Sequence, residues 1–155
     1  MNHWLMKSEP DAFSIDDLAR SPRKTTHWDG VRNYQARGFM RDDMRVGDLA
    51  FFYHSNTEEP GIAGIVKVVK PGYPDRTAFD KRDKHYDPDS DPDAPRWYMV
   101  DVRFERKLRA PITLATLREH SDGALKGLAL LKRGNRLSIT PVSAAHWKFI
   151  CSLER

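Results

Sequence analysis

The chain has a single cysteine, Cys151, among its 155 residues. An internal disulfide is excluded, one thiol cannot furnish a structural zinc site, and a reducing compartment is expected. Long apolar runs are missing too. None approaches the roughly 18 residues of a membrane-spanning helix, so no membrane partner is expected. The N-terminal "MNHWLMKSEPDAF" has neither the basic start nor the apolar stretch of a secretory signal. These absences point to the cytoplasm, or to the nucleus if the source is eukaryotic. Internal repeats and flexible linkers are lacking as well, so residues 1–155 are expected to form one domain, with a monomer favoured.

The common catalytic signatures are also missing. No GxSxG elbow, P-loop or dinucleotide fingerprint occurs. The histidines (His3, His27, His54, His85, His120 and His146) never fall at the i, i+4 spacing of a zinc helix. The run "DPDSDPD" (87–93) imitates the start of a calcium loop. It fails where the sharp turn needs glycine, which is Pro92, and where the bidentate glutamate belongs, which is Tyr98. No metal and no cofactor are expected.

What is present describes a folded, charged, moderately basic domain. Hydrophobic residues make up 39% and charged residues 31%, which excludes a disordered chain. The formal charge of +4 is unevenly spread. Residues 71–95 hold seven Asp against four Lys or Arg, net −3, and five of the ten prolines. The remaining chain carries 22 basic and 15 acidic residues, net +7, and that favours an anionic partner. The acidic, proline-stiffened stretch reads as one long loop, a candidate lid or wall for a site.

Patterning places the other elements. "HWLMKS" reads as a first strand. Ser14 caps a helix whose first turn carries Asp16 and Asp17, with Phe13 and Leu18 spaced as a hydrophobic staple. "RSPRKTT" reads as a basic loop, and "NYQARGFMRDDM" as a helix kept short or bent by Gly38. Residues 48–54 and 61–70 are β-branched and aromatic runs joined by a polar loop. In "WYMVDVRFERKL", Tyr98, Val100, Val102 and Phe104 alternate with Met99, Asp101, Arg103 and Glu105, as in a half-buried strand. "PITLATLREH" predicts a helix capped by Thr113, and "NRLSIT" a short strand. Ser143 caps a last helix on which Ala144, Trp147, Ile150 and Cys151 share a face, with Trp147 in the core. Several strands without repeated βαβ units predict an α+β fold with a small curled or barrel-like sheet.

The most informative stretch is "HWDGVRNYQARGF" (27–39). Trp28 has polar neighbours and no periodic apolar run around it, and Asp29-Gly30 is a strong turn signal. Burying Trp28 in the core would draw Asp29 and Arg32 inward, so the edge of a pocket is the expected position. A flat, polar ligand such as a nucleobase suits it: stacking on one aromatic ring is worth about 1–3 kcal/mol, and Asn33 can bond a base edge. "LKRGNRLSI" offers Lys132, Arg133 and Arg136 around a turn, and Arg20, Arg23 and Lys24 form a second basic cluster. Both suit phosphate contacts.

"WLMKSEP", "WDGVRNYQAR", "VGDLAFFYHSN", "PGIAGIVKVV", "YPDRTAFD", "PRWYMVDV" and "LSITPV", in that order from about Trp4 to Ile150, closely resemble the EVE domain family. The resemblance implies a PUA-like fold, a curled mixed β-barrel flanked by short helices, similar to the YTH domains that hold a methylated adenine of RNA in an aromatic cage. It implies a reader of a modified base in nucleic acid, with modified cytosine in DNA the family's usual association and modified RNA the other. By motif, Lys7, Ser8, Trp28, Val31, Arg32, Asn33, Tyr53, His54 and Ser55 should surround the base, with Trp97 and the turn at Arg133 to Arg136 at the rim. Where the family tends to have Asn after "NYQAR", this chain has Gly38, a departure that bears on the helix. The ASCH proteins, also PUA-like, include hydrolases of modified nucleosides, so Lys7, Ser8 and Glu9 define an enzymatic alternative. Against it, Glu9 should raise the Lys7 pKa, whereas a catalytic lysine needs it lowered. A third alternative is a protein-interaction module docking through the acidic loop.

Overall fold

A computed structural model describes residues 1–154. Strand β1 (His3–Ser8) opens the chain. Helix α1 (Ile15–Arg20) follows because Ser14 and Asp17 cap each other: Ser14 Oγ accepts the Asp17 N–H at 3.1 Å, and Asp17 Oδ2 accepts the Ser14 N–H at 2.9 Å. The basic stretch expected to be loop ends in a short strand, β2 (Thr25–His27). Three residues are too few to show an alternating pattern, and pairing with a long neighbour makes them a strand. Helix α2 (Tyr34–Gly38) starts on Asn33, whose Oδ1 accepts the Ala36 N–H at 3.0 Å. It passes at Gly38 into a π-helical turn over Phe39–Asp43, so the helix is short and altered where glycine stands.

Strands β3 (Leu49–His54), β4 (Gly61–Pro74) and β5 (Tyr98–Thr113) form the middle of the sheet. Thr113 caps helix α3 (Leu114–Arg118), β6 (Ile139–Val142) forms an edge, and Ser143 caps helix α4 (Ala144–Ser152). Three boundaries differ from expectation. Residues 71–74 belong to β4, so the irregular segment is shorter at its start. Pro111 and Ile112 end β5 and do not start the helix. The last strand begins at Ile139, not Asn135. Ladder pairing decided each of these, and pairing is a property of the neighbouring strand. Met99 is buried beside Val100, so the half-exposed alternation of β5 holds only from Asp101 onward.

The sheet order is β2-β5-β4-β3-β1-β6, with β1 and β3 parallel and every other pair antiparallel. Register shifts along β4 and β5 bend these long strands and curl the sheet. Among the described residues no pairing joins β2 to β6, so the mixed α+β sheet of the PUA-like type stays an open barrel. The parallel pair positions the site. Parallel neighbours need a long crossover, and residues 9–48 supply it, laying α1, Trp28 and α2 along one face of the sheet and adding β2 at its far edge. That face buries Trp4, Met6, Phe52, Val66 and Val100 against Ile15, Leu18 and Met40. The other face buries Leu5, Phe51, Tyr53 and Ile62 against Leu117, Leu125 and Ile150. Trp147, expected in the core, is only half-buried, stacked on Phe51 with ring centroids 3.9 Å apart.

Candidate nucleic-acid interface

Trp28 sits where edge strand β2 runs out, its N–H still donating to the Val100 carbonyl at 2.7 Å. Its ring packs edge-on against Phe52, with centroids 5.5 Å apart and planes at 89°. The residue is 8% exposed and belongs to the core cluster. The expectation of a pocket edge in place of the core is therefore corrected: the indole is embedded in the core and also lines a cavity of about 380 Å³. The turn allows this. Asp29 stays exposed on the rim, and Arg32 is drawn partly inward, its side chain 23% exposed, where the buried Asp75 carboxylate and the His85 carbonyl receive its charge.

Four segments wall that cavity. Lys7 and Ser8 come from the end of β1, Ala12 and Phe13 from the approach to α1, Thr26 to Asp29 from β2 and its turn, and Lys84 and His85 from the acidic loop. The loop expected as a lid or wall is thus a wall. The indole N–H groups of Trp4 and Trp97 are consumed internally, by Asp48 at 3.0 Å and by Asp87 at 2.6 Å. Trp28 Nε1 has no acceptor among the described residues and is not sealed in, so it can donate to a ligand.

Asp75 holds the wall in place. It is 0% exposed and accepts from four directions: the Gly30 N–H at 2.9 Å, Arg32 Nη1 at 3.0 Å, and the Thr77 N–H and Oγ1 at 2.9 and 2.6 Å. Arg32 also donates to the His85 carbonyl, through Nη2 at 2.6 Å and Nε at 3.2 Å. One carboxylate and one guanidinium thereby tie the Trp-turn to the loop. Gly30 is required at the contact. Its φ is +75°, and a Cβ there would lie 2.4 Å from the His85 ring. A left-handed L-residue costs about 1–2 kcal/mol, and the clash adds to it. Gly30→Ala is expected to lower stability by at least that amount and to push His85 off the turn; urea denaturation checks the first and crystallography the second.

The structure divides the sequence-expected base pocket. Lys7, Ser8 and Trp28 come together in the cavity, and the others do not line it. Val31 is buried in the core. Arg32 spends its donors on Asp75, Thr77 and the Val31 and His85 carbonyls, which leaves none for a base. Asn33 spends its side-chain oxygen capping α2. Tyr53 points to the opposite face of the sheet, because neighbouring strand residues alternate. His54 returns to the Trp28 face, but its Nε2 accepts the Ile15 N–H at 3.1 Å. Ser55 donates its N–H to the Ser8 carbonyl at 3.0 Å, bracing the strand end behind the cavity. Trp97 is 7% exposed, stacked on Tyr34 and bonded to Asp87.

Sequence reasoning missed Ala12, Phe13, Thr26, His27, Asp29, Lys84 and His85 as lining residues. For His27 and Asp29 a signal existed: they flank Trp28 within one turn. For Lys84 and His85 only the length and composition of their loop marked them. Nothing local singles out Asp75.

Electrostatics suit a polar, flat guest. Burial pushes the Lys7 ammonium below the ordinary lysine range. This reverses the expectation that Glu9 would raise it, since Glu9 is turned to Asn56 Nδ2 at 3.1 Å. The Asp29 carboxyl, exposed at the rim but partly desolvated by the cavity wall, is raised, by that desolvation first and by the Asp75 carboxylate second. Ammonium and imidazole donors, hydroxyls and one carboxyl acceptor therefore surround an indole face. The hollow lined by Ala110, Glu119, His120 and Glu154 is larger, at about 490 Å³, but its lining has neither an indole face nor an ammonium group.

The two basic clusters occupy different places. Arg20 is paired with Asp17 at 2.9 Å, while Arg23 and Lys24 stand in the turn before β2, next to the cavity wall. Lys132 and Arg133 line a separate hollow with Gln35 and Phe39, and Arg136 is exposed beyond it.

Comparison with known proteins agrees with this architecture. Thymocyte nuclear protein 1 of Danio rerio is 51% identical over 168 residues, covering 99% of this chain and 72% of that protein. The crystal structure of human THYN1 in complex with 5-methylcytosine-containing DNA superposes with a TM-score of 0.96 at 49% identity, covering 100% of this chain and 98% of that one. A Pseudomonas putida protein of known structure gives a TM-score of 0.91 at 43% identity, covering 97% of both chains. The EVE domain model matches residues 2–153, and the chain belongs to the EVE domain family.

Proposed function

We propose that the protein, acting as one domain, reads a modified cytosine in DNA by taking the extruded base into the Trp28 cavity. The observation that carries this is the indole, held rigid by the core and presented to a cavity of about 380 Å³ ringed with hydrogen-bonding groups. The human relative solved with 5-methylcytosine-containing DNA supports the choice of base and nucleic acid.

Each group has a part in this reading. Extruding a base costs a few kcal/mol. Stacking on Trp28 returns about 1–3 kcal/mol, and a ring already fixed against Phe52 loses little freedom when the base arrives. The Asp29 carboxylate accepts from the cytosine amino group, a contact that thymine, with a carbonyl at that position, cannot make. Lys7 and Lys84 face the base oxygen and ring nitrogen from the other walls. The 5-methyl group lies against the apolar parts of Phe13 and Ala12. Exposed cations of the two basic clusters supply affinity for phosphate without sequence preference.

A methyl group in a close-fitting pocket discriminates by about 1–3 kcal/mol, or roughly 10–200-fold. Oligonucleotides identical except for one cytosine, either plain or 5-methylated, should therefore differ in Kd by a factor in that range by fluorescence anisotropy. RNA versions of both should bind more weakly. Equal Kd values for plain and methylated DNA would overturn the reading.

The enzymatic alternative rests on one observation, the lowered Lys7 pKa at the cavity wall. The serine beside it is poorly placed as a nucleophile: Ser8 Oγ donates to the Phe13 carbonyl at 2.6 Å, so its proton faces a group that cannot act as a base. Release of product from acetylated or methylated nucleosides incubated with the protein would favour this alternative.

A further inference from the structure

We propose that the groove beside the Trp28 cavity is the track for the sugar-phosphate backbone of the strand whose base is extruded, with Arg23, Lys70 and Arg76 as its phosphate contacts. This rests on the base-reading function and extends it to a second surface. The groove has a volume of about 650 Å³ and runs from the Ser21–Arg23 turn across β2 to Val69, Lys70 and Asp101. It shares Thr26 and His27 with the base cavity, so the two are separated by one pair of side chains. A strand with a base in the cavity must place its neighbouring phosphates on one flank of that wall, and this flank carries the positive charge.

The charges are free and pre-positioned. Lys70 Nζ lies 4.0 Å from the Tyr73 ring centroid, a contact that holds the ammonium group in place without neutralising it. Arg76 Nη2 donates to His27 Nε2 at 3.1 Å, on the shared wall. Among the described residues none of these three cations has a carboxylate within 4.0 Å, whereas Arg20, Arg32, Arg106 and Lys107 all do. The groove's one acid, Asp101, is occupied by the Tyr73 hydroxyl and by His27. Pairing across β2, β5 and β4 sets His27, Asp101 and Lys70 in one row along the groove floor.

The backbone of the turn is the independent observation. Arg23 and Lys24 are consecutive non-glycine residues in the left-handed region, with φ of 57° and 54°. Such strain gathers at functional sites, where a side chain matters more than an easy backbone. Glycine at either position would relieve it and would remove a cation. The Lys132–Asn135 turn puts glycine, Gly134, at its positive φ, is unstrained there, and shares no lining residue with the base cavity.

The test is the salt dependence of binding to a duplex with one 5-methylcytosine, for the parent, for the Arg23→Ala/Lys70→Ala/Arg76→Ala triple variant, and for Lys148→Ala on α4 as a control. Each phosphate contact contributes about 0.9 to the slope of log K against log salt, so losing one makes affinity fall about 3.5-fold less between 50 and 200 mM. The triple variant should lose slope accordingly and weaken plain and methylated DNA equally, keeping the parent's ratio between them. An unchanged slope overturns the track even if the methyl preference is intact. A lost methyl preference with the slope behaving as expected in the parent and variant overturns the base reading and leaves the track standing. No duplex binding by the parent overturns both. Arg23→Gly adds a readout that a purely structural turn would not give: it should raise the thermal midpoint while lowering affinity, and a raised midpoint with unchanged affinity counts against the track.

Discussion

Trp28→Ala is expected to erase the preference for a modified base and to destabilise the fold by about 3–5 kcal/mol, the usual range for deleting a large buried aromatic. The two effects have one origin. The ring fills core space beside Phe52 and at the same time offers its surface to the cavity. A neutral effect on folding, natural for a pocket-edge residue, is ruled out by its 8% exposure. Trp28→Phe separates the two roles. A phenyl ring keeps most of the core contact and a smaller stacking surface, so the variant should stay folded, with part of the affinity for methylated DNA lost. The measurement is guanidinium denaturation beside anisotropy titration of each variant. A folded variant at position 28 that keeps the parent's full methyl preference without an aromatic ring would remove the basis of the reading.

Asp75→Ala should have the next largest effect, about 3–5 kcal/mol, because it leaves Arg32 without its buried partner and strips the Gly30 and Thr77 donors of their acceptor. Its consequence for function is indirect: the wall carrying Lys84 and His85 is released from the Trp-turn, and affinity falls with it. The pH dependence gives a signature. Burial alone would raise the Asp75 carboxyl, but hydrogen bonds from Thr77, Gly30 and Arg32 outweigh it and hold the group below the ordinary carboxylate range. A carboxyl lowered on folding stabilises fully above its unfolded value, near 3.9, and that stabilisation is lost as pH falls through the folded value. The stability gap between parent and Asp75→Ala should therefore be widest near neutrality and close below about pH 4. A gap independent of pH would mean that the ion pair and its hydrogen bonds are not its source.

Side chains that cap or alternate locally are legible in the sequence alone. Ser14, Thr113 and Ser143 cap the helices expected of them, and the runs at 48–54 and 61–70 are paired strands. Each depends on residues within one or two turns of itself. Asn33 shows the limit of such reasoning. An amide following a turn can read a base or cap a helix, and only the chain direction after it decides; here α2 begins at once and takes the oxygen. Tyr53 shows another. It stands beside His54 in a motif the family carries, yet strand alternation sends the two to opposite layers.

The amino-acid sequence by itself determined the class of fold, the capped helices, the family, and the importance of Trp28 beside a glycine turn, because periodicity, capping and turn chemistry act over a few residues. Tertiary structure alone decided which groups face that indole. Lys7 reaches it from the first strand, Lys84 and His85 reach it from a loop more than fifty residues further on, and Asp75 binds the two sides together. Contacts between segments so far apart are made by the parallel crossover and the curl of the sheet, and no local pattern encodes where these bring two segments into touch.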